Sequence, residues 1–138
     1  KRYLLVPTYC AGTFPEALSD FRLPKGGRVI VSLHLYRPYE FSLDTNGTAA
    51  WSGSCADTQG IDQAMHDAER YLLRRRIPVV ITEFGAVDKG NEPARAEWVR
   101  YVRSSAQDRG IPCIWWDDSV FDRSRLVWVY PEIVRALV

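Results

Sequence analysis

Little in this chain is one-sided. Lysine and arginine number 18 against 17 aspartate and glutamate, a formal charge of +1, so no basic field marks a nucleic-acid or anionic-membrane partner. Cysteine is scarce and unpatterned: Cys10, Cys55 and Cys113 are three, an odd number without metal-ligand spacing, and no metal site is expected from them. Cys10 and Cys113 lie in or beside apolar runs and read as buried thiols rather than a disulfide framework, so they do not fix the redox compartment. No run is long and apolar enough to span a membrane. A signal peptide and an initiator methionine are also missing, so Lys1 reads as the start of a processed, trimmed or fragmentary chain. Internal repeats and low-complexity tracts are absent as well.

What is present is an ordinary globular balance. The 138 residues, 46% hydrophobic and 25% charged, fit one domain. A chain of this length buries roughly two thirds of its unfolded surface. Five Trp and seven Tyr are plentiful, and many fall in loops after strands, where an aromatic points to ligand contact. Four strand-like runs are expected over about residues 2–9, 28–36, 78–84 and 111–116. A short helical turn is expected near Ala17–Phe21, and Lys25-Gly26-Gly27 is a turn signal. A long loop from Arg37 to Ala56, carrying Tyr39, Phe41 and Trp51, has a length usually reserved for function.

Helices complete the pattern. The first should run from about Thr58 to Arg76 on the apolar face Ile61, Met65, Ala68 and Leu72, with Arg74-Arg75-Arg76 at the negative end of its dipole. A second, capped by Asn91 with Pro93 in its first turn, should reach Asp108 before Arg109-Gly110, and Pro131–Leu137 should close the chain. The order β-loop-β-α-β-α-β-α predicts parallel strands with right-handed crossovers.

The organising stretch is Pro78-Val79-Val80-Ile81-Thr82-Glu83-Phe84-Gly85, an apolar β-branched run that ends in a carboxylate and a glycine. It reads as a strand buried on both faces, with a charge at the end where α/β folds place their chemistry. Glu83 alone is equally a strand terminator paired with an arginine. His34 alone is a core histidine, Tyr36 alone begins a loop, and of the alternating Trp115 and Trp116 one belongs to the core. Together, the four strands run out at Thr8/Tyr9, His34/Tyr36, Glu83 and Trp116/Asp118, and only a parallel sheet gathers these on one rim. A carboxylate, an imidazole, a phenol and an indole suit binding and cleaving a sugar, the indole stacking and the phenol donating to the carboxylate.

Val31-Ser32-Leu33-His34-Leu35-Tyr36, Ile81-Thr82-Glu83-Phe84-Gly85 and Ile114-Trp115-Trp116-Asp117 resemble the sixth, seventh and eighth strands of glycoside hydrolase family 5, and Val6-Pro7-Thr8-Tyr9 resembles the fifth. Bacterial endo-β-1,4-glucanases are the nearest likeness. The resemblance implies an α/β fold, half of a (β/α)8 barrel, and retaining hydrolysis of a β-glucan without metal or organic cofactor. It implies that Glu83 is the nucleophile, that His34 and Tyr36 flank the sugar, and that Trp116 is the stacking platform. Trp51 is expected to help bind substrate. Asp118 stands where the family often has asparagine, and is a further sugar contact. The polymeric substrate implies secretion.

A whole barrel takes about 250 residues. The family's general acid/base, a glutamate in an Asn-Glu pair ending the fourth strand, has no counterpart here. Asn91-Glu92-Pro93 has the right letters but lacks a preceding strand and reads as a helix start. A half-barrel leaves two open edges and an uncovered apolar face, so a homodimer of half-barrels is expected, a partner's Asp117 or Asp118 coming near the acid's place. The alternatives are a carbohydrate-binding half-barrel without catalysis and a fragment that needs its other half.

Overall fold

The computed structural model describes residues 2–24, 27–117 and 119–138. Four parallel strands, β1 (Leu4–Pro7), β2 (Val29–Leu35), β3 (Val79–Phe84) and β4 (Cys113–Trp115), form one sheet in the order of the sequence. Their register runs Leu4 against Val29, Val31 against Val79 and Ile81 against Cys113. The expected half-barrel of parallel strands is therefore the architecture. Of the expected turn Lys25-Gly26-Gly27 only Gly27 is among the described residues, and its φ of +70° is a conformation that glycine adopts without strain.

One face of the sheet carries the core. Val31, Leu33 and Leu35 alternate along β2 onto it, and Ile81 and Phe84 of β3 join them. Two helices cover this face: α3 (Cys55–Tyr71) through Ile61, Met65 and Ala68, and α4 (Glu92–Gln107) through Trp98, Val99 and Val102. Helix α5 (Pro131–Leu137) packs on α4 through Ile133 and Ala136, and Arg103 donates to the Ala136 carbonyl at 2.9 Å.

The other face departs from the expectation of burial on both sides. Leu5 is 56% and Ile114 53% exposed, while Ile30 and Val80 are half-buried. These apolar side chains line the concave side of the half-barrel, and no element among the described residues covers it.

Local chemistry moved several boundaries. Strand β1 stops at Pro7. Thr8 then opens a single 3-10 turn over Tyr9–Ala11, in which Cys10 and Ala11 have φ of +52°, and the Thr8 hydroxyl donates to the Gly12 carbonyl at 2.8 Å. That turn leaves Cys10 exposed, against the expectation of a buried thiol. The short helix α1 follows at Pro15–Ser19, and the long loop holds one helical turn, α2 (Tyr39–Ser42).

Helix α3 begins a turn earlier than expected. Ser54 and Asp57 form a capping box there: each side chain accepts from the other's backbone N–H. At the other end the helix tightens into a 3-10 turn over Leu73–Arg75, and Arg76, at φ +58°, breaks it. Asn91 holds the N-cap position of α4 without capping by its side chain, whose oxygen accepts from Lys89 N instead. A two-stranded hairpin of β5 (Phe121–Asp122) and β6 (Val127–Trp128) was not expected.

Candidate active site

The site begins with an irregularity in the β2–β3 ladder. Leu33 pairs with Ile81, but the next pair is His34 with Glu83, so Thr82 has no partner of its own. Such a bulge re-aims side chains. Ser32 and His34, two apart on β2, share a face. The Ser32 and Thr82 hydroxyls meet at 2.6 Å, while His34 Nδ1 lies 3.2 Å from Glu83 Oε2. Two consecutive β3 side chains, Thr82 and Glu83, therefore reach the same concave face. Regular alternation would have turned Glu83 into the helices. The trace in the sequence is the spacing of three between the core residues Ile81 and Phe84.

The Tyr36 hydroxyl, one residue beyond the end of β2, donates to the same Glu83 Oε2 at 3.1 Å. His34 Nδ1 faces that same oxygen at 3.2 Å. A phenol hydroxyl and an imidazole nitrogen thus converge on one oxygen of a half-buried carboxylate. Gly85 follows directly. A Cβ there would lie 3.4 Å from Trp116 Cβ and 3.9 Å from Tyr36 Cε1, so Tyr36 and Trp116 flank this glycine. Trp116 N donates to the Phe84 carbonyl at 2.9 Å, and its side chain stays 52% exposed. Trp115 points the other way and meets Phe84 edge-on at 5.4 Å. Glu83, His34, Tyr36 and Trp116 are thus one group at the C-terminal rim of the sheet.

The two loops that leave this group are fastened to each other. Val87 N donates to the Ser42 carbonyl at 2.9 Å, Lys89 Nζ to the Phe41 carbonyl at 2.6 Å, and Asn91 Nδ2 to the Ala49 carbonyl at 2.8 Å. Trp98 Nε1 of α4 donates to the Arg37 carbonyl, and the fully buried Arg95 donates through Nε to the Ala86 carbonyl, each at 2.8 Å. Burial lowers the Lys89 pKa. Asp88 faces Arg95 at 3.4 Å and accepts from the Tyr130 hydroxyl at 2.8 Å, which holds its carboxyl below the usual range.

The family model described as cellulase (glycosyl hydrolase family 5) matches residues 1–122. The chain belongs to glycosyl hydrolase family 5. Among curated relatives it is 36% identical to Endoglucanase A of Clostridium longisporum, covering 100% of this chain and 29% of that protein. Endoglucanase B of Neocallimastix patriciarum is 40% identical over 99% of this chain and 31% of its own length. A solved broad specificity endoglucanase from Clostridium acetobutylicum superposes with TM-score 0.94 at 38% identity, covering all of this chain and 45% of that one. A family 5 lichenase from Caldicellulosiruptor sp. F32, solved with cellotetraose, superposes with TM-score 0.90 at 40% identity, over 99% of this chain and 42% of its own. The chain thus spans about a third of these curated relatives and under half of the solved chains.

Not every expected residue of this family 5 chain joins the group. Trp51 stacks at 5.7 Å on Phe41 and at 6.0 Å on Tyr101 of α4, beside Ser52, Gly53, Glu97 and Arg100. None of its ring contacts is with Glu83, His34, Tyr36 or Trp116, because the loop folds it onto the helix layer. Asp118 lies outside the described residues. Asp117 is committed to its own loop: its carboxylate accepts from Val120 N and Phe121 N and faces Arg123 at 3.3 Å. Glu92 accepts from Glu132 N at the start of α5, so Asn91-Glu92-Pro93 is indeed a helix start. The bulge and the cross-loop bonds escaped sequence reasoning. The Asp88-Lys89-Gly90-Asn91 run is the sort of polar cluster that flags such a loop.

Proposed function

We propose that this chain carries the nucleophile side of a retaining β-1,4-glucanase site. The observation that supports it best is Glu83 held at one oxygen by Tyr36 and His34 on the C-terminal rim of a parallel sheet, beside the exposed indole of Trp116. In this reading a glucosyl unit rests against Trp116, and Glu83 attacks its anomeric carbon. The C1–O bond breaks and the leaving oxygen takes a proton from a carboxylic acid about 5–5.5 Å from Glu83. Water then releases the sugar, with that acid acting as base. Tyr36 and His34 fix the nucleophile's angle, so little reorganisation accompanies attack.

Asp117 is spent on its loop and Glu92 on a helix start, and in this reading the acid is supplied by the strands that a whole barrel adds. The exposed apolar face of Leu5 and Ile114, and the open edges of β1 and β4, are what those strands would cover. The same edges and face also fit a second copy of the chain, and sedimentation of the purified chain separates the two closures. The polymeric substrate places this work outside the cell.

The test is reducing-sugar release from a soluble β-1,4-glucan by a barrel completed with the N-terminal half of the Clostridium acetobutylicum relative. Activity in the completed barrel that vanishes with Glu83→Gln supports the reading. Equal activity in both points to another carboxylate and refutes it. Binding without turnover by the intact completed barrel would favour a carbohydrate-binding module instead.

A further inference from the structure

Two cavities meet beside the Glu83 group. One, of about 520 Å³, is bounded by His34 and Tyr36 on one side and by Phe14, Arg37, Tyr39 and Leu43 on the other. The second, of about 500 Å³, shares Thr13, Phe14 and Arg37 with the first and continues along α3 past Gln59, Gln63 and Asp67. Arg37 is the wall between them, and α3 is shaped for it. Gly60 sits inside α3, where glycine is less favourable than alanine. A Cβ at Gly60 would lie 3.3 Å from Arg37 Cδ, so the glycine lets the arginine stem lie against the helix. Among the described residues the Arg37 guanidinium, which is exposed, makes no ion pair and no hydrogen bond.

The second cavity has an assorted lining. Asp67 is only 3% exposed, and its carboxylate accepts from Gln63 at 3.0 Å. The Phe14 ring packs close against Gly12, where an added Cβ would collide with it. A buried carboxylate disfavours an anion, and a guanidinium across the same cavity disfavours a cation. Planar amide and guanidinium donors, amide and carboxylate acceptors and an aromatic ring suit a neutral polyhydroxylated ring with one apolar side.

We infer that the second cavity is a distal sugar subsite, reached from Glu83 through the first, that holds a unit of the glucan beyond those at the cleavage point. This rests on the glucanase reading above. The unit is either a further main-chain glucose or a branch sugar, and both present ring hydroxyls beside an apolar face.

The experiment measures kcat/KM of the completed barrel on cellotetraose, cellohexaose and a xylose-branched oligosaccharide with a cellotetraose backbone. Arg37→Ala and the double variant Gln59→Ala/Gln63→Ala are compared with wild type, all three replaced side chains being exposed ones. A main-chain occupant predicts that the ratio for cellohexaose over cellotetraose falls about tenfold in both variants. A branch occupant predicts the same fall for the branched substrate over cellotetraose. Ratios within twofold of wild type for both substrates would overturn the inference. A wild-type barrel that cleaves none of the three would overturn the glucanase reading itself.

Discussion

Replacing Tyr36 with phenylalanine removes a single hydroxyl from the site and leaves the ring beside Gly85. The lost bond is a 3.1 Å donation to Glu83 Oε2. Hydrogen bonds to charged acceptors contribute about 1.5–3 kcal/mol. The Glu83 side chain is 26% exposed and keeps its contact with His34, so water and the imidazole both compensate, and the lower part of that range applies. About 1.5–2 kcal/mol corresponds to roughly a 10- to 30-fold fall in rate. The loss should sit in kcat rather than KM, because aiming the nucleophile matters most at the transition state. The assay is glucan hydrolysis by the completed barrel, with thermal melts to check that Tyr36→Phe folds like wild type. Because both side chains meet one oxygen, His34→Phe and Tyr36→Phe should combine non-additively. A fall of less than threefold in a stable Tyr36→Phe protein would refute the account of how Glu83 is held.

Three further outcomes follow from the packing around the site. Gly85→Ala should be tolerated, since its Cβ would make ordinary 3.4 Å contacts with Trp116, whereas Gly85→Val should crowd Trp116 and Tyr36 and destabilise by about 1–3 kcal/mol in urea titrations; equal midpoints would contradict this. Iodoacetamide at about pH 8 should label the exposed Cys10 and Cys55 in the folded chain and spare Cys113, whose thiol burial pushes up to about 11; labelling of Cys113 at the same rate, read by peptide mass, would refute it. Tyr130→Phe should lower stability most between weakly acidic and weakly alkaline pH. The Asp88 carboxyl is held low chiefly by the Tyr130 hydroxyl, so its contribution is present above the ordinary carboxylate value and lost as pH falls through the lowered one. Asp88 in turn raises the Tyr130 pKa, so the phenol's contribution is lost as pH rises through that raised value. A stability difference constant from acid to alkali would contradict the pairing.

The strands were legible because β-branched runs ending in polar residues leave few other readings, and Ile61, Met65 and Ala68 of α3, with Leu72 just past its end, are buried as their spacing requires. What escaped depended on contacts between distant segments. The bulge at Thr82 exists only in the pairing of β2 with β3, so no single strand announces it. Alternation nevertheless separated Trp115 from Trp116 as expected. Trp51 stands apart from the group for a related reason: a tryptophan in a long loop is as ready to stack on Phe41 and Tyr101 as on a ligand. The expectation that β3 is buried on both faces came from its run of apolar residues, which suits a closed barrel better than this open segment. Helix α3 began early because Ser54 and Asp57 cap each other, a signal that was present but weaker than the apolar period.

The central claim is that Glu83 forms the covalent bond to sugar. It is tested most directly with a 2,4-dinitrophenyl 2-deoxy-2-fluoro-β-cellobioside. Its leaving group departs without a proton, so the missing acid is not needed, and the fluorine slows release of the glycosyl group. The account predicts that the peptide carrying Glu83 gains the mass of one fluorocellobiosyl unit, in the chain itself and in the completed barrel, and that Glu83→Gln gains none. Label on a different carboxylate, or none in a completed barrel that still cleaves glucan, would contradict it.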